Sequence, residues 1–290
     1  MKQVSGKPPR LLGCVATLLA GLSACLPALA QGSAEASAAF RVCQDPNNLP
    51  FSNDKGEGFE NRIAELLAER LGRQVEYFSF PQRMGFIRNT LQFKLPGEAY
   101  RCDVVMGVPA QYGPTATTRP YYRSAYALVL GPRVADVGSV EAFVGLSAER
   151  RAGLRIGVYD RSPAANWLAR HGLVDQAVPY RMLNADPSFY PGEIIERDLA
   201  TGKLDAAIVW GPIAGFFSKR DARGGLRVLP LRSEPGLPLE FEIAVGVRRS
   251  DREWRDTLDQ LIARNAAPIE AILQEYNVPL IRPGSEEATR

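Results

Sequence analysis

The whole imidazole supply of this chain is His171, which stands beside Gly172 at the expected end of a helix. A histidine so placed more often interacts with the helix terminus than performs chemistry. One imidazole cannot build a His-based zinc site, and the separated Cys43 and Cys102 add little to it. The sequence contains no Ser-centred nucleophile elbow, phosphate loop or dinucleotide fingerprint. Asp45, Asn47, Asn53, Asp54 and Glu57 could offer oxygens to a hard cation. However, Leu49 and Pro50 stand where an EF-hand loop would put a ligand and its turn glycine. These five residues read better as a solvated loop. The expectation is a non-enzymatic protein with no catalytic residue, no metal and no cofactor of its own.

Charge and targeting narrow the class further. The formal net charge is +3, but Lys2, Lys7 and Arg10 precede an apolar run from Leu11 to Leu26, and no acidic residue occurs before Glu35. Basic stretch, apolar run, Pro27 and then Ala28-Leu29-Ala30 form a secretory signal, with cleavage favoured after Ala30. Leu22-Ser23-Ala24-Cys25 looks like a lipobox, so lipid attachment at Cys25 is the alternative. Either route exports the protein to the periplasm, with no membrane span in the mature chain. Without the leader the basic and acidic side chains balance, and a neutral chain gives no reason to expect nucleic-acid binding. Cys43 and Cys102 then remain in an oxidising compartment, where a single disulfide and two buried thiols are both open readings.

The elements that position these residues follow from periodicity. Arg41-Val42-Cys43 reads as a strand. Glu60 to Leu71 reads as a helix, because Ile63, Leu66, Leu67 and Leu71 recur at three and four residues before Gly72. Gln74 to Phe80 alternates like a strand, a helix is expected from Arg83 to Phe93, and Asp103 to Gly107 is an apolar strand. The pattern recurs with a strand at Leu154–Tyr159, a helix at Pro163–Arg170, a helix at Gly192–Thr201 and a strand at Ala206–Val209. Tyr121–Leu130 and Glu240–Val247 are long extended runs between the halves. Helices around Trp254 to Ile262 and from Pro268 to Tyr276 close the chain. The expectation is an α/β fold of two lobes, with a hinge of two crossing strands. Residues 1–30 are the signal peptide, 38–130 plus 245–282 the first lobe, 131–244 the second, and 283–290 a tail. A cleft between such lobes holds ligands.

Arg41-Val42-Cys43-Gln44-Asp45, Pro50-Phe51-Ser52, Gly58-Phe59-Glu60 and Arg119-Pro120-Tyr121-Tyr122 together resemble the periplasmic solute-binding proteins of ABC transporters, with their type II binding-protein fold. Three longer runs are similar to a narrower group. They are Cys43 to Asn53, Pro81 to Leu91 and Cys102 to Pro109. That group is the MoxJ/XoxJ type, binding-protein-like partners of PQQ-dependent (quinoprotein) methanol and alcohol dehydrogenases. The resemblance implies a periplasmic accessory role in methanol or related alcohol oxidation.

The chain departs from the amino-acid binders of the wider family. Pro109 to Thr115 holds no Arg to clamp a ligand carboxylate, Tyr159-Asp160-Arg161-Ser162-Pro163 replaces a Gly-Thr or Gly-Ser turn, and Trp210 stands where an ammonium-holding Asp is usual. Loss of both charged clamps argues against a free amino acid. Phe51, Tyr121, Tyr122, Tyr159 and Trp210 are candidates to line the cleft, with Arg119 and Arg161 at its rim. The competing readings are core packing for the aromatics and surface ion pairs for the arginines. Two functions stay open: an accessory protein that assembles or activates a quinoprotein dehydrogenase by direct contact, and an ABC-transporter receptor for a small apolar or aromatic solute.

Overall fold

A computed structural model describes residues 39–82, 85–182, 186 and 188–282; the expected leader and the tail 283–290 lie outside the described residues. The chain opens with strand β1 (Phe40–Gln44), a small hairpin of β2 (Asn47–Asn48) and β3 (Ser52–Asn53), and helix α1 (Phe59–Arg70). Strand β4 (Val75–Ser79), helix α2 (Phe86–Asn89) and strands β5 (Val104–Pro109), β6 (Ala116–Thr117) and β7 (Tyr122–Leu130) follow. Helices α3 (Val140–Val144) and α4 (Ala148–Arg151) lead into β8 (Ile156–Tyr159), α5 (Pro163–Arg170) and β9 (Ala177–Tyr180). A π-helical segment, Ile194–Leu199, precedes β10 (Ala206–Trp210), α6 (Gly211–Arg220) and β11 (Arg227–Pro230). The described chain closes with β12 (Glu240–Val247), α7 (Arg252–Arg264) and α8 (Ala266–Glu275).

Helix α1 shows how local sequence dictates these elements. Phe59, Ile63 and Leu67 recur at every fourth position, with Ala64 and Ala68 beside them, and all five are buried. The helix stops at Gly72, which adopts φ +64°. Its N–H donates to Glu69 O at 3.0 Å, and Arg73 N–H donates to Ala68 O at 2.9 Å. That pair of bonds is a Schellman cap, and its left-handed residue is inexpensive only for glycine.

The strands pair in the order β4-β1-β5-β12-β7-β10-β8-β9. β4, β1 and β5 are parallel, and so are β10, β8 and β9. The two antiparallel strands in the middle join these groups. Tyr122–Ala125 of β7 pair with β12, whereas Tyr126–Leu130 pair with β10. Glu240–Ile243 of β12 pair with β7, and Ile243–Gly246 continue along β5. β7 therefore runs from one α/β group into the other, and the chain returns to the first group through β12, as two-lobed binding-protein folds require.

One apolar cluster joins Phe40, Val42, Val104 and Val245 to α1, α7 and α8. In the other group the sheet is buried on both faces. Leu128, Leu130, Ala206 and Ile208 face one cluster, and Ala127, Val129, Ala207 and Val209 face another. This period of two within a continuous apolar run is what a parallel-type sheet covered on both sides requires.

Two expected helices differ in the structure. The Arg83–Phe93 helix is reduced to α2, with residues 83 and 84 outside the described residues. Gly85 takes φ +83° ahead of it, and the Thr90 hydroxyl donates to Phe86 O at 2.7 Å. The side chain thus occupies the carbonyl that a continuing helix would offer to its own backbone. The Gly192–Thr201 helix is a π-helix over Ile194–Leu199, in which Ala200 N–H reaches back five residues to Ile195 O. The wider turn buries Ile194, Ile195, Asp198 and Leu199 together.

Candidate functional site

Chemistry-bearing side chains converge where the loops after β1, β5 and β9 meet the ends of β7 and β10. Cys43 and Cys102 are joined in a disulfide, with Cα atoms 5.4 Å apart. Cys102 lies two residues before the start of β5, and its neighbour Asp103 donates from its N–H to Arg41 O at 2.8 Å, drawing the two segments together. The bridge lies in an apolar cluster with Phe86, Ile87 and Leu91, so it fixes α2 behind the loop that begins at Asp45.

That loop is braced rather than open. Asp45 Oδ1 accepts from Asn47 N–H at 2.9 Å, and Asp45 Oδ2 accepts from Gln82 N–H. Asn53 Oδ1 accepts from Glu57 N–H at 2.8 Å, while Asn53 Nδ2 donates to Glu57 Oε2 at 2.8 Å. Asp54 Oδ1 accepts from the Ser79 hydroxyl. These oxygens are committed to the hairpin. Among the described residues, no group of three or more His, Cys, Asp or Glu side chains could hold a metal.

Two cavities adjoin the hairpin. The outer one, about 750 Å³, has Pro46, Asn47, Phe86, Arg88, Pro109 and Tyr112 on one side and Met182, Phe189 and Pro191 on the other. Asn47 Nδ2 connects the two walls by donating to Ser188 O at 3.2 Å and to Phe189 O at 3.3 Å. Tyr112 and Met182 are large apolar side chains left exposed at its edge. The inner cavity, about 290 Å³, is lined by Phe51, Glu60, Gly107, Tyr122, Tyr126 and Trp210, among others. Gln82, Phe86, Gly107 and Pro191 line both cavities, so the two adjoin.

Of the seven side chains expected at the cleft, the structure brings three to the inner cavity: Phe51, Tyr122 and Trp210. Trp210 makes edge contacts with Tyr126 and Phe241 at ring-centroid distances of 5.4 and 5.9 Å, and Phe51 makes one with Phe59 at 5.4 Å. The other four sit elsewhere. Tyr121 lies beside the cavity, where its hydroxyl accepts from Gly107 N–H at 3.1 Å. Tyr159 is buried and donates to Pro191 O at 2.7 Å, so its ring supports the wall from behind. Arg119 is exposed and pairs with Asp259 of α7 at 3.0 Å, a local ion pair rather than a cleft rim. Arg161 is exposed on the turn after β8, where its backbone takes φ +54°, and it borders neither cavity. His171 Nε2 meets Glu234 Oε1 at 2.7 Å and its ring lies 4.4 Å from that of Trp167, a structural setting at the end of α5.

The sequence reading does not single out Glu60, yet it is the most unusual group in the region. It stands in the first turn of α1 with 9% of its surface exposed, and its Oε1 has no hydrogen-bond partner. Burial pushes its carboxyl up to about 8, against a smaller lowering by the Tyr121 hydroxyl. Burial and then the nearby Glu60 carboxyl push the phenols of Tyr121 and Tyr122 well up in turn. A signal was available: Glu60 shares the face of Ile63, Ala64 and Leu67, where an acid is out of place.

No protein-family model matches the chain. The structure is similar to that of the periplasmic binding protein XoxJ from Methylobacterium extorquens AM1. That match has 35% identity and a TM-score of 0.66, and covers 84% of this chain and all of the XoxJ chain. The chain belongs to the MoxJ/XoxJ type of periplasmic binding protein. Its sequence is also 29% identical to Protein MoxJ of Methylorubrum extorquens strain AM1, over 97% of this chain and 99% of MoxJ. An amino acid ABC transporter substrate-binding protein from Streptococcus pneumoniae, bound to L-arginine, shares the fold at 16% identity. Its TM-score is 0.56, covering 84% of this chain and 95% of that one. Against that shared fold, this MoxJ/XoxJ-type chain puts an indole, Trp210, on the wall of its inner cavity.

Proposed function

We propose that the chain is a periplasmic, non-catalytic accessory protein that contacts a PQQ-dependent methanol or alcohol dehydrogenase and assists its assembly or activation. The observation that carries this reading is whole-length similarity to XoxJ combined with an outer cavity edged by exposed apolar side chains, Tyr112 and Met182. A cavity of about 750 Å³ is within the range of small-molecule pockets, so what argues against an amino acid is that Pro109–Thr115 supplies no arginine to clamp one. An exposed tyrosine and methionine beside a groove suit contact with another protein. In this reading export follows cleavage after Ala30, with lipid attachment at Cys25 as the alternative. The lobes divide at residues 38–130 plus 245–282 and 131–244.

The test is a calorimetric titration of the mature protein with the quinoprotein dehydrogenase of its host, in apo and cofactor-loaded forms. Saturable binding with preference for one form supports the accessory role. Absence of heat with either form overturns it. A second reading, receptor for a small solute, is favoured by the aromatic walls of the inner cavity, Phe51, Tyr122 and Trp210.

A further inference from the structure

The inner cavity has an electrostatic character of its own. Among its lining residues are two acids, Asp45 and Glu60, and no Lys, Arg or His. Asp45 is committed to the backbone N–H groups of Asn47 and Gln82. Glu60 differs, because it is buried and borders the cavity, and although the Tyr121 hydroxyl approaches its carboxyl, Oε1 has no hydrogen-bond partner. A buried carboxyl oxygen without a donor is costly, and a donor supplied by a ligand would relieve it. Around it stand Phe51, Tyr122, Tyr126 and Trp210, whose ring faces carry partial negative charge. Gln44, Asn48, Ser52 and Gln82 are neutral, so an anion would find no opposite charge in the lining, whereas a cation gains from both the carboxylate and the rings.

We propose that the inner cavity binds a small organic ammonium ion, with Glu60 Oε1 as its carboxylate partner and Phe51, Tyr122 and Trp210 as its aromatic cage. The proposal concerns the isolated protein and does not depend on contact with a dehydrogenase. The cage adjoins the outer cavity at Gln82, Phe86 and Pro191, which line both.

Protonation gives the proposal a signature. Glu60, raised to about 8, carries its proton at neutral pH when the cavity is empty. The titratable groups that face it are Asp45, Tyr121, Tyr122 and Tyr126, and the three phenols are themselves raised by burial. An ammonium ion favours the ionised carboxylate, so binding releases the Glu60 proton. Affinity must then rise as pH rises toward 8 and level above it. A neutral ligand accepting from the protonated acid would show the opposite trend.

The experiment is isothermal titration of the mature chain with methylammonium chloride at constant ionic strength, against sodium chloride and acetamide as controls. It is run from pH 6 to 8.5 in phosphate and in the bulky zwitterionic buffer HEPES to count protons. The expected result is saturable binding, nearly one proton released per ligand at pH 7, and about tenfold tighter binding at pH 7 than at pH 6. Glu60→Gln, with its melting temperature checked, should bind at least tenfold more weakly and release no proton. Trp210→Leu should also weaken binding but keep the proton release. No saturation at millimolar methylammonium, equal binding of acetamide, or full affinity in folded Glu60→Gln would each overturn the proposal.

Discussion

Gly107 of β5 faces the Glu60 carboxyl so closely that a Cβ added to it would overlap Oε1. Gly107 also adopts φ +71°, a conformation that side-chain-bearing residues rarely hold. The strand and the first turn of α1 thus close around one carboxyl, and only a glycine permits it. Gly107→Ala should lower stability by about 1–3 kcal/mol through backbone strain alone. The readout is the urea midpoint at constant m-value, and an unchanged midpoint would show both that the backbone relaxes without strain and that Glu60 swings clear.

Stability should fall with rising pH because of Glu60. Its ordinary value is 4.5 and its folded value about 8, so between these limits the folded state holds a proton that the unfolded state has lost. The sign is therefore negative across that window, with a limiting slope of about 1.4 kcal/mol per pH unit from this group. Glu60→Gln should flatten the wild-type decline between pH 5 and 8, measured as unfolding free energy by urea denaturation. Parallel profiles for the two proteins would mean that the carboxyl is not raised.

The Cys43–Cys102 bridge closes a loop across 59 residues. Intact mass without reductant should be two protons below the thiol form, and no thiol should label. Replacing both cysteines by alanine should cost about 2–4 kcal/mol. Labelling of native protein by a thiol reagent is the contrary outcome.

Arg248 holds the end of β12 to the segment before β5. It donates to Cys102 O at 2.6 Å, Asp103 Oδ1 at 2.6 Å and Asp251 Oδ2 at 2.7 Å, and its guanidinium lies 4.1 Å from the Tyr100 ring centroid. Its side chain is 11% exposed, and Arg248→Ala removes the donor to Cys102 O while Asp103 keeps its pair with Arg41, so the change should cost about 1–3 kcal/mol. Arg248→Lys should recover only part of this, because an ammonium cannot span the same fork. Chemical denaturation of the three proteins decides the order.

The two cavities should separate by mutation. Tyr112→Ser with Met182→Ser, both at the exposed edge, should weaken binding to the dehydrogenase at least tenfold. Trp210→Ala should leave that binding intact, since its ring lines only the inner cavity. Loss of dehydrogenase binding in a folded Trp210→Ala protein would move the contact inward.

How far the sequence reaches depends on the range of the interaction. Helix α1, its stop at Gly72, the crossing run Tyr122–Leu130 and the double-faced apolar strand β10 are legible because each is written in periodicity or in one glycine. Resemblance carried the family, and with it the expectation that Trp210 stands in a ligand position. The cleft was half legible. Phe51, Tyr122 and Trp210 border a cavity, whereas Arg119 follows Asp259, a partner 140 residues away that no local pattern announces.

By itself the sequence determined the alternation of strands and helices and the two crossing strands, encoded in residue type at short spacing, while resemblance supplied the family and the missing amino-acid clamps. Tertiary structure alone decided the shortening of α2, the π-helical turn at Ile194–Leu199 and the burial of Glu60. The physical reason is that a carboxyl's solvation depends on what closes over it. Tyr121, Tyr122 and Gly107, which enclose Glu60, lie 47 to 62 positions along the chain and meet it only when β5 and β7 pack beside α1.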